Sequence, residues 1–163
     1  MTEKFIALSL FLISLGGITA FADNEPPAVE VTRVSDLQAD AGHMTERQLP
    51  MVVEMAADGC TYCLLIEEKV LQPMILSGDY EDKALLRKLY IDDPTDIRDF
   101  DGSPISQSEF ARRYKVSLTP TLLFLDHTGK EIAPRMTGVP LIDFYGLYLD
   151  GAIDQARSTL GGT

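Results

Sequence analysis

The chain has 163 residues, of which 45% are hydrophobic and 24% are charged. A chain of this length and composition is typical of one globular domain, which can bury a sufficient core without structural disulfides or metals. The 25 acidic residues outnumber the 14 basic ones and give a net charge of −11. That charge repels phosphate backbones and anionic lipid headgroups, so we expect no nucleic-acid partner.

The N-terminus carries the pattern of an export signal. Residues 5–15 are almost wholly apolar, follow Lys4 and precede the small-residue triplet Ala20-Phe21-Ala22. This order is typical of a cleavable signal peptide, although a transmembrane anchor interrupted by two glycines is the alternative. We therefore expect a signal peptide over residues 1–22, a leader over 23–28 and a domain over 29–163 that folds in the periplasm.

The first half of the mature chain alternates between strand and helix patterns. Residues 29–34 alternate as a short strand, and the polar stretch 35–48 suits a helix. Residues 50–57 form a nearly continuous apolar run, which indicates a central strand buried on both faces. A helix is predicted from residue 60 to about residue 71, and Pro73 should end or kink it.

The second half continues this alternation. The predicted elements are a strand at 85–91, an acidic, turn-rich, solvated loop at 92–104, a short helix at 106–114, a hairpin of 121–125 with 130–133, and a helix at 140–160. Ser106 caps the short helix, with Glu109 three residues later. The order predicts a three-layer α/β fold, in which helices cover both faces of a central mixed, mainly parallel sheet closed by the hairpin.

Cys60 and Cys63 are the only cysteines and lie where the buried strand passes into a helix. The positive end of that helix favours a thiolate on Cys60, which makes this residue a competent nucleophile and leaving group. A spacing of three along a helix brings the two sulfurs within bonding distance. The pair can therefore cycle between dithiol and disulfide.

The cysteine pair has two other interpretations. A structural disulfide that closes so short a loop removes little entropy from the unfolded chain. Half of a zinc site needs two further ligands, and His43 and His127 do not have ligand-like spacing. We favour a redox-active dithiol, with no metal and no cofactor expected.

Three segments follow one another within residues 29–160: MVVEMAADGCTYC, KLYID and RRYKVSLTPTLLFLDHTGKEI. This ordered set resembles the thioredoxin superfamily, in particular its exported bacterial branch of periplasmic thiol:disulfide reductases. The resemblance implies a thioredoxin-like fold and an enzyme that reduces protein disulfides. It also implies disulfide-bearing protein substrates and, in an oxidising compartment, a membrane protein as electron donor.

The resemblance assigns roles to further residues. Thr119-Pro120 matches the family's cis-proline, which docks an extended substrate, and Thr61 and Tyr62 between the cysteines are further substrate-binding candidates. Glu54 matches a buried carboxylate that relays a proton for Cys63. Burial should raise the pKa of that carboxyl toward neutrality. Lys88 matches a lysine that the family has on the neighbouring strand, near this carboxylate.

The sequence departs from cytoplasmic thioredoxins at the dithiol, where Gly59 replaces a tryptophan and Thr61-Tyr62 separates the cysteines. An oxidase or isomerase therefore stays an alternative within the same enzyme class. A copper-binding chaperone that uses the same two cysteines is the alternative from another class, although no Met-x-x-Met cluster accompanies them. With one compact domain, a monomer is expected.

Overall fold

The computed structural model describes residues 29–162. In chain order the elements are α1 (Leu37–Arg47), β1 (Met51–Ala56), α2 (Thr61–Ile66), a π-helical turn (Glu67–Leu71), α3 (Gln72–Ser77), β2 (Leu85–Tyr90), β3 (Asp96–Arg98), β4 (Pro104–Ser106), α4 (Gln107–Arg113), β5 (Thr121–Leu125), β6 (Glu131–Thr137) and α5 (Ile142–Gly161). The predicted signal peptide and leader lie outside the described residues. Among residues 29–162, no helix combines the length and the apolar character needed to cross a membrane.

The central sheet has the order β2-β1-β5-β6. Every residue of β1 and of β5 is buried, which confirms the predicted central strand. The mixed sheet with helices on both faces confirms the α/β prediction, and the predicted hairpin is β5–β6. Among these four strands, however, β1–β2 is the one parallel pair. Because β5 runs antiparallel to both of its neighbours, β1, β2 and β6 point in one direction and β5 in the other, as expected of a mixed sheet in which most strands share a direction.

Alternation of side chains along β1 divides the hydrophobic core in two. Val52 packs with residues of α2, α3 and α5 on one face of the sheet. Met51, Val53 and Met55 pack with residues of α1 and α4 on the other face. Successive strand residues point to opposite faces, so Glu54 faces the α2 and α5 side together with Val52. β1 therefore places an ionisable side chain in the core, on the side of the sheet that carries the helix with the cysteines.

The N-terminal segment forms a bridge instead of the strand expected over residues 29–34. Arg33 pairs with Lys88 in a parallel bridge. The Val34 N–H donates to the Lys88 carbonyl at 2.8 Å, and the Lys88 N–H donates to the Thr32 carbonyl at 2.9 Å. The chain then turns into α1, whose N-cap is Asp36.

The helix after the cysteines continues past Pro73, where the sequence pattern suggested an end or a kink. A π-helical turn follows α2, and Pro73 lies in the first turn of α3. The Gln72 N–H donates to the Glu67 carbonyl five residues earlier, as in a π-helix. The wider turn accommodates a residue that has no N–H and whose ring would crowd the preceding carbonyls. The helix ends at Gly78, which adopts the left-handed conformation with φ 72°.

The acidic segment 92–104 is more ordered than the solvated loop that was predicted. It contains β3, which pairs with β4 in a small antiparallel hairpin. Asp99 within it is 4% exposed and accepts two hydrogen bonds from the Arg113 guanidinium. After the hairpin, the Ser106 hydroxyl accepts the Glu109 N–H at 3.2 Å, and the Glu109 carboxylate accepts the Ser106 N–H. The predicted cap of the short helix is thus confirmed as a capping box.

Candidate active site

Cys60 and Cys63 form a disulfide at the start of α2, with their Cα atoms 5.3 Å apart. Cys60 is the N-cap residue, and its sulfur accepts a hydrogen bond from the Cys63 N–H at 3.2 Å. Gly59, with φ 67°, supplies the left-handed turn that joins β1 to the helix. Cys60 is half-buried, whereas Cys63 is only 2% exposed. An approaching molecule therefore reaches the sulfur of Cys60 before that of Cys63.

The residues around the dithiol combine exposed apolar side chains with a small pocket. Thr61 is exposed, Tyr62 is 60% exposed and Leu64 is 63% exposed. A pocket of about 270 Å³ lies beside the cysteines, and its lining includes Glu67 and Tyr90. Exposed apolar groups next to a reactive sulfur can contact the polypeptide that carries a disulfide.

Thr119 and Pro120 lie at the same edge of the sheet as the cysteines. The peptide bond between them is cis. Because β1 and β5 are antiparallel with Met55 opposite Thr121, the end of β1 that leads to Cys60 lies next to the start of β5. Thr119 is half-buried and Pro120 is buried. The structure thus brings together at one edge the dithiol and the segment that the sequence assigned to substrate docking.

Glu54 is buried in the middle of β1. It is 1% exposed, and neither carboxylate oxygen has a hydrogen-bond partner among the described residues. Burial raises the pKa of Glu54 from 4.5 to about 8; the nearby Glu67 carboxylate adds to the rise, and the Lys88 ammonium opposes it. The raised value agrees with the direction expected from the sequence. At neutral pH the side chain is mostly a neutral acid that can give up or regain a proton.

Lys88 lies beside Glu54 in the sheet but hydrogen-bonds another residue. The two residues are opposite each other in the β1–β2 register, as the sequence suggested. The Lys88 Nζ donates to Glu67 Oε2 at 2.7 Å, and both side chains are 8% exposed. Burial opposes the charge on Lys88, but the hydrogen bond to Glu67 and the interaction with Tyr90 raise the pKa of the ammonium overall. Glu67 is thus a second buried carboxylate at the site.

Two tyrosines complete the surroundings of this charged cluster. The Lys88 ammonium lies 5.2 Å from the ring centre of Tyr90, and the Arg33 guanidinium lies 4.4 Å from the same ring. From α5, Tyr145 contributes a buried hydroxyl that has no hydrogen-bond partner among residues 29–162. Burial and the Glu54 carboxylate raise the pKa of Tyr145 above its ordinary value. Tyr145 therefore stays a neutral hydroxyl facing the Glu54 side of the core.

The sequence identified part of this arrangement and missed the rest. The resemblance assigned Glu54 and Lys88 to the site of the cysteines, and the structure places these two residues at paired positions of β1 and β2. Glu67 was missed, although it lies four residues after Cys63 and so one helical turn along the same helix face. Within residues 29–162, no three His, Cys, Asp or Glu side chains are placed to hold a metal ion.

Comparison with known proteins agrees with the fold. The thioredoxin-like domain family matches residues 37–144. The thioredoxin-like protein CITRX, chloroplastic, of Solanum tuberosum is 29% identical over 94 residues, which are 58% of this chain and 45% of that protein. The chain thus aligns with less than half of the length of this curated relative.

Two solved structures have the same fold. An oxidoreductase named DsbH superposes with a TM-score of 0.52 at 21% identity, covering 82% of this chain and 92% of that one. A thioredoxin of Malassezia sympodialis superposes with a TM-score of 0.50 at 20% identity, covering 80% and 96%. At these identities the likeness establishes the architecture, and the chemistry of the site has to be argued from its own residues.

Proposed function

The chain belongs to the thioredoxin-like domain family, and we propose that it is an exported thiol:disulfide oxidoreductase that reduces protein disulfides. One observation carries the proposal: a disulfide at a helix start joins a half-buried and a buried cysteine, and the strand that leads to it holds a buried carboxyl group without a hydrogen-bond partner among residues 29–162. A structural disulfide explains the bond but not the carboxyl. A carboxyl group in such a place is costly unless it has a task.

The reaction starts from the reduced pair. The Cys60 thiolate attacks one sulfur of a substrate disulfide, so that a new S–S bond to Cys60 forms while the substrate S–S bond breaks. The departing substrate sulfur leaves as a thiolate and takes up a proton. Cys63 then loses its proton and attacks the Cys60 sulfur, which releases the second substrate thiol. Two electrons have passed to the substrate, and the protein is left with the Cys60–Cys63 disulfide.

Glu54 is the group we assign to proton transfer in the second step. Its carboxylate form accepts the proton of Cys63, and its neutral form returns a proton when the disulfide is reduced again. The pKa of about 8 lies close enough to neutrality for both forms to be used. Pro120 and Thr119, with the exposed Thr61 and Tyr62, are the proposed contacts for the extended segment of the substrate.

The compartment and the electron source belong to the same proposal. The pattern of residues 1–22 supports export to the periplasm, with the mature chain beginning near Asp23. An oxidising compartment would keep the pair as a disulfide, so a dithiol protein of the membrane has to return two electrons after each turnover. We propose a monomer with protein substrates. Sequencing the N-terminus of the protein recovered from the periplasm tests the export step.

A pair of serine variants tests the chemistry. Cys60→Ser should abolish the reduction of insulin disulfides, because no nucleophile remains at the accessible position. Cys63→Ser should instead accumulate a mixed disulfide with the substrate, seen by non-reducing mass analysis. The two variants change the same atom type at neighbouring positions, so each controls for the other. Full turnover in either variant contradicts the proposal.

The reduction potential tests the direction of electron flow. Thioredoxins equilibrate near about −270 mV and a strong oxidase near about −120 mV. Equilibration of the wild-type protein with glutathione buffers of set composition gives this value. A potential close to the thioredoxin value supports a reductase, and one close to the oxidase value assigns the same site to disulfide formation.

A further inference from the structure

Two buried carboxyl groups lie near one buried lysine on the side of the sheet that carries α2. Glu54 comes from β1, Lys88 from the paired position of β2, and Glu67 from the first position of the π-helical turn. Counted over whole residues, the exposed fractions are 1% for Glu54, 6% for Glu67 and 7% for Lys88. The ammonium forms its hydrogen bond with Glu67 at 2.7 Å, whereas both oxygens of Glu54 have no partner among the described residues.

The charge balance of this cluster favours one protonated carboxyl. If all three groups were ionised, the cluster would carry a net negative charge in the core, which costs free energy through desolvation and like-charge repulsion. A proton on one carboxyl makes the cluster neutral. The hydrogen bond to Lys88 stabilises the charge on Glu67, so the unpaired Glu54 is the group that takes the proton.

We propose that Glu67 is a positioning residue: by hydrogen-bonding Lys88 it holds the ammonium off Glu54 and keeps Glu54 a neutral acid in the oxidised protein. The backbone fixes this arrangement relative to the dithiol, because the Glu67 N–H donates to the Cys63 carbonyl. The use of this proton in turnover rests on the proposed oxidoreductase function. The assignment of the ion pair and of the protonated carboxyl does not.

The groups that face Glu54 set the direction of each expected effect. They are Lys88 from β2, Glu67 from the π-helical turn, Tyr145 from α5 and the apolar Leu122 from β5. Glu67 adds to the raised pKa of Glu54 and Lys88 opposes it. Removal of the charge at position 67 should therefore lower the pKa of Glu54, and removal of the charge at position 88 should raise it.

The test is a ¹³C NMR titration of the Glu54 carboxyl carbon in the oxidised full-length protein, assigned with the Glu54→Gln variant. The wild-type midpoint is expected at about 8. Glu67→Gln should lower the midpoint by about one pH unit or more, since it removes a like charge and frees Lys88 to bind Glu54. Lys88→Gln should raise it. A Glu67→Gln midpoint at or above the wild-type value, or a Lys88→Gln midpoint at or below it, overturns the proposal.

Two further variants separate positioning from simple loss of structure. Glu68→Gln removes a neighbouring charge that is 67% exposed and paired with Lys69, so the Glu54 midpoint should stay where it is. The double variant Glu67→Gln with Lys88→Gln removes the ion pair without leaving a buried charge unpaired, and its midpoint should lie between those of the two single variants. If only one single variant folds, the double-variant midpoint should lie on the wild-type side of that variant's midpoint. A shift in Glu68→Gln as large as that in Glu67→Gln, or a double-variant midpoint outside the two, overturns the proposal.

The kinetics then test the proposed function separately. If Glu54 accepts the proton of Cys63, the pH at which resolution of a mixed disulfide reaches half its maximal rate should move in the same order as the carboxyl midpoints. Midpoints that move as expected, while the rate profiles coincide, support the positioning role of Glu67 and remove Glu54 from the reaction.

Discussion

Replacing Glu54 by glutamine should stabilise the protein at neutral pH and flatten its pH dependence. The pKa of this group is 4.5 in the unfolded chain and about 8 in the folded protein. Between these values the folded protein holds a proton that the unfolded chain has released, so stability is complete at low pH and falls as the pH rises. The loss amounts to about 1.4 kcal/mol for each pH unit, hence about 3 kcal/mol at pH 7 and about 5 kcal/mol above pH 8.

Urea denaturation of the oxidised protein at several pH values between about 4 and about 9 measures this effect. The difference in free energy of unfolding between Glu54→Gln and wild type should be small near pH 4 and should grow steadily up to pH 8. Contributions from titrating groups that do not interact with Glu54 cancel in this difference. Glu68→Gln, which changes an exposed glutamate, should give a flat difference. If the Glu54→Gln difference is equally flat, the carboxyl is not desolvated as described and its role in proton transfer fails with it.

Two predictions concern the fold alone. Ser106→Ala removes the hydroxyl that accepts the Glu109 N–H at 3.2 Å and should lower the free energy of unfolding by about 1 kcal/mol; an unchanged urea midpoint would show that the cap is dispensable. Phe110→Ala empties a position that is 0% exposed between Phe100 and Tyr114 and should cost about 3 to 5 kcal/mol. Leu147→Ala, at a position 68% exposed, should change stability by less than about 0.5 kcal/mol in the same assay.

The sequence was most informative where one residue type has one physical meaning. A run of apolar residues without alternation indicated that β1 is covered on both faces, and all six of its residues are buried. A serine with a glutamate three residues later indicated a helix start, because the two side chains satisfy each other's backbone amides. The glutamate inside the apolar run stood out for the same reason, since a buried carboxyl is rare without a function.

The sequence was least informative where the outcome depends on which elements meet. The strand pattern at 29–34 could not indicate that pairing with β2 is limited to a bridge at Arg33. Pro73 predicts a helix end, but a π-helical turn removes the conflict locally. The sequence does not distinguish Glu67 from a glutamate on a helix surface. The difference is Lys88, which β2 places within hydrogen-bond distance of Glu67. Each of these features depends on tertiary packing, which a local sequence pattern does not encode.

The position of the buried Glu54 on β1 connects the fold with the proposed chemistry. On β1, the side chains of Met51, Val53 and Met55 face α1 and α4 in an apolar core. The opposite face of the same strand holds Glu54. In its ionised form this side chain makes the folded protein less stable than a neutral side chain at the same position would. That face also carries α2 and therefore the buried sulfur of Cys63. Because a buried carboxyl stabilises neither the strand nor the core at neutral pH, its place on the side of the sheet that also carries Cys63 supports the proposed proton transfer.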